Sequence, residues 1–315
     1  MGNRRGALLA LLVLVVLLAP ALAPYDPGRQ FNGYAYAPPM RPHVIDAQWG
    51  LRAPFAFPVR LVDPIERRYA EDRARRVTSF GDTEPWFLFG SDPFGRDILS
   101  RLAIGARLSL GVALLSTLFA IGIGAVVGAA AGYAGGWADA ALMRVADLVI
   151  VLPGIYVVLA LRGALPLVLE TGDVFAALVV VLSLVGWPAI ARGVRGIVVI
   201  ERESEYAEAA RALGAGFWRV MARHLLPSCR GFLLVQATVL VPAFLMAEAT
   251  LSFVGLGFAA PTPSWGVMLR DAAAVQVVAD APWLLAPAAA IVATALGAHS
   301  VSHTRNRDLT TVISP

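Results

Sequence analysis

From Leu108 to Ala138 the chain carries no charged residue over 31 positions. Roughly 20 such residues in a helix already cross a hydrocarbon core of about 30 Å. Five other runs approach that length: Ala7–Ala23, Val145–Leu161, Val174–Ala191, Gly231–Leu251 and Ala281–Ser300. Two of them carry one acid each, Asp147 and Glu248, and the last is weakened by Pro282 and Pro287. The whole chain is 58% hydrophobic and 15% charged, against about 45–50% and about 25% in soluble domains. A disordered chain, a disulfide scaffold and most soluble enzymes are excluded on these grounds. The expectation is an all-α polytopic membrane protein with about six transmembrane helices.

All 26 basic residues are Arg, and there is no Lys. A Walker A lysine, a Schiff-base lysine and a Ser-Lys dyad are therefore absent from this chain. The pI of 9.6 reflects Arg placed between apolar runs, which points to topology and not to nucleic acid. With the N-terminus inside, the inner segments hold twelve Arg: Arg4, Arg5, Arg144, the seven from Arg192 to Arg230, Arg305 and Arg307. The short outer loops hold Arg162 and Arg270. Both termini are thus expected on the inner side of the membrane. The single Cys229 forms no intrachain disulfide.

The run Ala7–Ala23 reads as a retained anchor or as a cleaved signal peptide. Pro24, just after Ala21-Leu22-Ala23, disfavours cleavage, so residues 1–24 are taken as an anchor helix. Residues 25–101 are Pro-rich and form an extracytoplasmic segment of loops, with one short helix expected near Ile65–Arg76. Residues 102–300 are the membrane core, and 301–315 a cytoplasmic tail. Ser116, Ala120, Gly124, Gly128 and Gly132 recur every four residues, on one helix face. Small residues there let another helix approach, either in the same chain or in a second subunit. Gly132–Trp137 breaks the helix, Asp139 is a candidate N-cap, and Arg144 is placed to pair with Asp147.

The longest inner loop is 192–230. Helix formers run to Leu213, and Gly214 is a natural helix stop. A second short helix carries Phe217, Val220, Met221 and His224 on one face and is expected to end at Pro227. Phe217, Trp218 and Met221 make an apolar patch of the kind that docks on a partner.

Glu208-Ala209-Ala210, then Gly214, then Leu226-Pro227 resemble the EAA loop of binding-protein-dependent ABC importers. Other blocks narrow the resemblance: Leu22–Pro27, Gly90–Arg101, Gly105–Leu110, Gly132–Asp147, Ala247–Gly257 and Pro261–Gly266. Together they resemble the C-type permease subunit of dipeptide/oligopeptide/nickel importers, over residues 86–296 and the first span. The resemblance implies a type I ABC importer permease fold in the plasma (inner) membrane of a bacterial or archaeal cell, with both termini cytoplasmic. It implies a homologous permease subunit, two cytoplasmic ATPases and an extracytoplasmic solute-binding protein as partners, besides membrane lipid. It implies ATP and Mg on the ATPase, with no cofactor or metal in this chain and no enzymatic activity of its own. The cargo would be a peptide or a related small solute such as nickel. ATPase coupling would fall to Glu208, Ala209, Ala210, Gly214, Phe217, Met221, Leu226 and Pro227, with Glu208 as the polar contact and Gly214 as the turn. Glu248, Arg144 and Asp147 are ionisable groups in spans, either paired structurally or lining the pathway.

The likeness ends near Leu296, where Gly297–Arg305 departs from the family pattern. His299 and His303 are four apart and are half a metal site at most; surface histidines are the plainer reading. No His-Glu-x-x-His or Gly-x-Ser-x-Gly occurs, which argues against an intramembrane enzyme. The departing tail keeps a non-transporting scaffold or sensor on a permease fold as the alternative function.

Overall fold

The computed structural model describes residues 3–45, 51–63, 67–81, 84–151, 170–273 and 275–303, with isolated positions between 152 and 169. The helices are α1 (Asn3–Leu22), α2 (Ile98–Ala134), α3 (Gly136–Val151), α4 (Thr171–Glu201), α5 (Glu205–Ala212) and α6 (Phe217–Val220). A π-helical turn, Met221–Leu225, leads into α7 (Leu226–Ser228) and then α8 (Arg230–Val254). The chain closes with α9 (Trp265–Asp271), α10 (Val275–Asp280), a 3₁₀ turn at Pro282–Leu285 and α11 (Ala286–His303).

Among the described residues, α2, α4, α8 and Pro282–His299 are long and apolar enough to cross a membrane, and Ala7–Leu22 is a shorter apolar helix. The expected third span, Val145–Leu161, is helical to Val151 and again at the described positions Gly154, Tyr156, Val157 and Ala160; its other residues lie outside the described ones. The tail from 304 to 315 also lies outside them. Two helices overrun their apolar runs. Helix α2 begins at Ile98, well before the first uncharged stretch, and α4 continues past Ala191 to Glu201. Within these extensions Arg101, Arg192 and Arg195 each find an acid, as described below.

Contacts divide the chain into two units. The first comprises Met1–Val13, Leu110–Glu248 and Thr294–Pro315. Its centre is α4, which buries Leu178, Leu182, Trp187, Ile190, Val194 and Val198. The small-residue face of α2 packs on α4 of the same chain, which settles the choice left open above. A Cβ at Gly124 would meet Trp187 O and Ile190, one at Gly128 would meet Ala191, and one at Gly132 would meet Arg195 O and Val198. On the other side of α4, Gly186 and Gly193 make room for Phe244 and Phe232 of α8. Ser183 Oγ lies 2.5 Å from Val179 O and 3.2 Å from Ser116 O, so its one proton is shared between the backbone of α4 and that of α2.

The second unit comprises Leu14–Ser109 and Ala249–Ala293. Here the helix expected near Ile65–Arg76 is corrected. Two antiparallel hairpins form: β1 (His43–Ile45) with β2 (Leu51–Phe55), and β3 (Val59–Asp63) with β4 (Arg68–Glu71). Tyr69 lies opposite Leu61 and donates its hydroxyl to Ala35 O at 2.7 Å. Of the charged run read as a solvated helix face, Arg68 and Glu71 are exposed positions of strand β4, and Arg67 turns at φ +50°. Pro54 fits β2 because a two-stranded ribbon has a free edge. A core of Tyr25, Phe31, Met40, Val59, Val77, Trp86 and Phe87 underlies the hairpins.

Candidate functional site

The loop after α4 opens with Ser204 at the N-cap of α5; its hydroxyl donates to Glu201 O at 2.6 Å. Helix α5 buries only Ala207; Glu205, Tyr206, Glu208 and Ala209 are exposed, and Ala210 is half-buried. Gly214 follows the C-cap at φ +81°, donating to Arg211 O at 2.9 Å, while Ala215 N reaches Ala210 O at 3.0 Å. These are the two bonds of a Schellman stop, which needs the left-handed region that Gly enters freely. The stop leaves Leu213 89% exposed, an apolar side chain projecting from the end of the helix.

The second half of the loop departs from expectation. Met221 is 4% exposed and Leu225 is fully buried, so Met221 packs inward and is not part of an outward patch. The side chain of Phe217 lies outside the described residues. Leu226 and Pro227 are half-buried. Pro227 does not end the segment: it sits within α7, directly after the π-helical turn. Proline has no N–H to donate one turn back, and a widened turn is one way a helix takes up that loss. Among the described residues Leu213 is the most exposed apolar side chain of the loop, which the periodicity of the second helix did not indicate.

Arginines fix this loop to the helices. Arg211 Nη2 donates to Arg202 O at 2.7 Å, and Arg202 Nη1 donates to Gly132 O at 2.9 Å, at the C-terminal end of α2 where free carbonyls need donors. Higher on α4, Arg195 holds Asp139 of α3 through Nε and Nη2, both at 2.6 Å. Asp139 therefore acts as a cross-helix anchor inside the first turn of α3, not as an N-cap. Asp147 pairs with Arg192 of α4, not with Arg144; Arg144 is exposed. Glu248 is fully buried in α8.

A second charged centre lies at the start of α2, and the sequence did not single it out as a site. Arg101 is fully buried and Arg96 is 3% exposed. Arg96 Nε bonds Asp92 Oδ2 at 2.5 Å, and Arg101 Nε lies 3.4 Å from the same oxygen. Asp271 of α9 approaches Arg96 at 3.7 Å and Arg101 at 3.9 Å. Asp92 also accepts from the backbone N–H groups of Phe94 and Arg96. Trp265 donates Nε1 to Leu102 O at 3.0 Å, and Ser109 accepts from Trp265 N at 3.1 Å. The visible signal was the i, i+4 spacing of Asp92 and Arg96 within a Gly- and Pro-bearing motif. Among the described residues no three His, Cys, Asp or Glu side chains gather as metal ligands. His299 is exposed on α11, and the side chain of His303 lies outside the described residues.

Residues 124–302 match the family described as binding-protein-dependent transport system inner membrane component. The chain belongs to that family. The match runs to residue 302, so the likeness passes Leu296 and takes in most of the last helix. The dipeptide transport system permease of Bacillus subtilis is 40% identical over 183 residues, 58% of this chain and 55% of that protein. The glutathione transport system permease of Pectobacterium atrosepticum is 37% identical over 190 residues, 60% of this chain and 61% of that protein. The di/tripeptide transport system permease of Pseudomonas aeruginosa is 33% identical over 276 residues, 86% of this chain and 77% of that protein. The chain thus spans 55% and 61% of the first two relatives. As a member of this permease family it carries the helical fold of an inner-membrane transport component, and two small hairpins lie between α1 and α2.

Proposed function

We propose that this chain is a permease subunit of an ATP-driven importer of peptides or a related small solute, forming half of the pathway beside a homologous permease. In this reading two cytoplasmic ATPases bind ATP and Mg, and an extracytoplasmic binding protein delivers the solute. The loop 192–230 and both termini face the cytoplasm, and residues 25–101 face outward. The observation that carries the reading is α5: an exposed helix with Glu208 and Ala209 on its surface, closed by Gly214 and tipped by Leu213. An amphipathic helix offered in this way suits a groove on a partner. Glu208 supplies the polar contact, Leu213 the apolar one, and Gly214 fixes the angle between α5 and α6.

The motion follows from the anchoring. A partner that moves α5 pulls on Arg202 through Arg211, and on α2 through Arg202. Helices α2 and α4 approach at Gly124, Gly128 and Gly132 closely enough that neither slides without the other. Arg195 brings α3 along. The group tilts as a near-rigid body, which is what alternating access requires.

The test is reconstitution of the complete complex in vesicles, measuring labelled dipeptide uptake and ATP hydrolysis together. Glu208→Ala combined with Leu213→Ala should abolish binding-protein-stimulated hydrolysis while the subunit still inserts and folds. Unaltered stimulation in the double variant overturns the coupling role, and ATPase recruitment without any solute uptake would favour a scaffold or sensor.

A further inference from the structure

Between α3 and α4 lies a cavity of about 430 Å³, lined by Gly136, Asp139, Ala140, Met143, Arg192 and Arg195. Small-ligand pockets span about 300–1,000 Å³. Two guanidiniums reach its wall, with side chains 47% and 39% exposed. Arg195 commits Nε and Nη2 to Asp139, and Arg192 commits Nη2 to Asp147. Their Nη1 groups, and Nε of Arg192, have no hydrogen-bond partner among the described residues. Arg144 lies one turn beyond Ala140 and is exposed. Three guanidiniums therefore stand against two carboxylates, with donors to spare.

The depth of the cavity is readable from its neighbours. Trp137, beside Gly136, is 84% exposed. The uncharged run of α4 ends at Ala191, immediately before Arg192. Beyond the cavity, α3 exposes Val145, Leu148 and Val151, at 52%, 64% and 78%. An exposed Trp and Arg at the edge of an exposed apolar face mark the headgroup level of a bilayer. A cationic cleft between helices at that level is suited to a lipid headgroup, and Arg is the side chain whose fork fits phosphate.

We propose that the α3–α4 cleft binds one anionic phospholipid, its phosphate held by Arg192 and Arg195 and its acyl chains lying along Val145, Leu148 and Val151. The lipid supplies acceptors for the guanidinium edges that the two aspartates leave unused. Bound there, it braces α3 against α4.

Native mass spectrometry of the purified permease complex tests this, with phosphatidylglycerol or phosphatidylethanolamine added back after delipidation. Wild type should retain phosphatidylglycerol. Ala140→Phe, which fills the cleft and leaves every ion pair in place, and Arg192→Gln should each weaken retention about tenfold, the equivalent of 1.4 kcal/mol. Ala140→Leu serves as a milder filler if the larger one fails to fold. Retention unchanged in folded variants overturns the proposal. So does equal binding of phosphatidylethanolamine, or displacement by millimolar inorganic phosphate, which would mark a free-anion site. Efficient crosslinking of Ala140→Cys to the homologous permease subunit overturns it as well, in favour of a protein interface.

Discussion

Asp97 lies buried at the mouth of α2, where its Oδ2 accepts from Ser100 N at 2.8 Å and Ser100 Oγ at 2.6 Å. Burial pushes its carboxyl above the usual carboxylate range, and the Ser100 bonds only partly oppose this. Asp271 is raised in the same direction by burial, opposed chiefly by Arg101. An acid whose folded pKa is raised holds its proton more tightly when folded. Its contribution to stability is therefore best at low pH and declines as pH climbs from about 4 through the folded value. Asp97→Asn keeps an acceptor for Ser100 and removes the buried charge. The melting temperature of Asp97→Asn relative to wild type should rise between pH 4 and pH 7; a constant gap would mean that Asp97 stays protonated or is solvated. At Gly214 the constraint is conformational. A side chain at φ +81° costs about 1 kcal/mol, while open space surrounds the position. Gly214→Ala should thus fold normally yet redirect α6, lowering stimulated ATP hydrolysis in the reconstituted complex more than it lowers melting temperature.

Among the elements, the small-residue face of α2 was legible in advance and the hairpins were not. The four-residue spacing from Ser116 to Gly132 is a property of one helix, so the sequence displays it; which helix it meets is a tertiary fact, and the partner proved to be Trp187–Val198 of the same chain. Strand β4 was hidden because Arg68–Glu71 is charged and short, and its pairing with Val59–Asp63 is what makes it a strand. Likewise the spacing of Arg144 and Asp147 within one helix suggested a pair, but Arg192 competes from a neighbouring helix and takes the acid. Leu213 escaped notice because an apolar residue at a helix end usually packs; the turn at Gly214 is what leaves it outside. The helix-packing reading has a direct test. A Cβ at Gly128 runs into the Ala191 backbone, which cannot rotate away. Gly128→Ala should destabilise the subunit by about 1–3 kcal/mol, read as a lower melting temperature in detergent, and Gly128→Leu should prevent accumulation of folded protein. Equal stability of Gly128→Ala and wild type would show that α2 and α4 have slack between them.

At the scale of the whole molecule, coupling depends on whether a displacement of α5 is delivered to the helices or absorbed in the loop. Among the described residues the polar links include Tyr206 to the Glu201 carboxylate, Arg211 to Arg202 O, Arg202 to Gly132 O and, further up α4, Arg195 to Asp139. Of these, Arg202 alone reaches from the base of α5 to the end of α2, and it does so through a backbone carbonyl that remains in place when the side chain is removed. Arg202→Ala therefore leaves the α5 surface and the glycine contacts of α2 with α4 intact. Docking of the ATPase should survive, and so should stimulated hydrolysis. Delivery of the motion to α2 should weaken, with solute moved per ATP falling about fivefold, a coupling loss of ~1 kcal/mol. A structural defect would instead lower hydrolysis and uptake in parallel and leave their ratio unchanged. Arg202→Lys separates charge from geometry: a lysine at the same place can still donate to a carbonyl, though without the planar fork. If Lys restores the ratio, a single donor at the end of α2 is enough to transmit the stroke; if only Arg does, the reach to both Gly132 O and Tyr133 O is required.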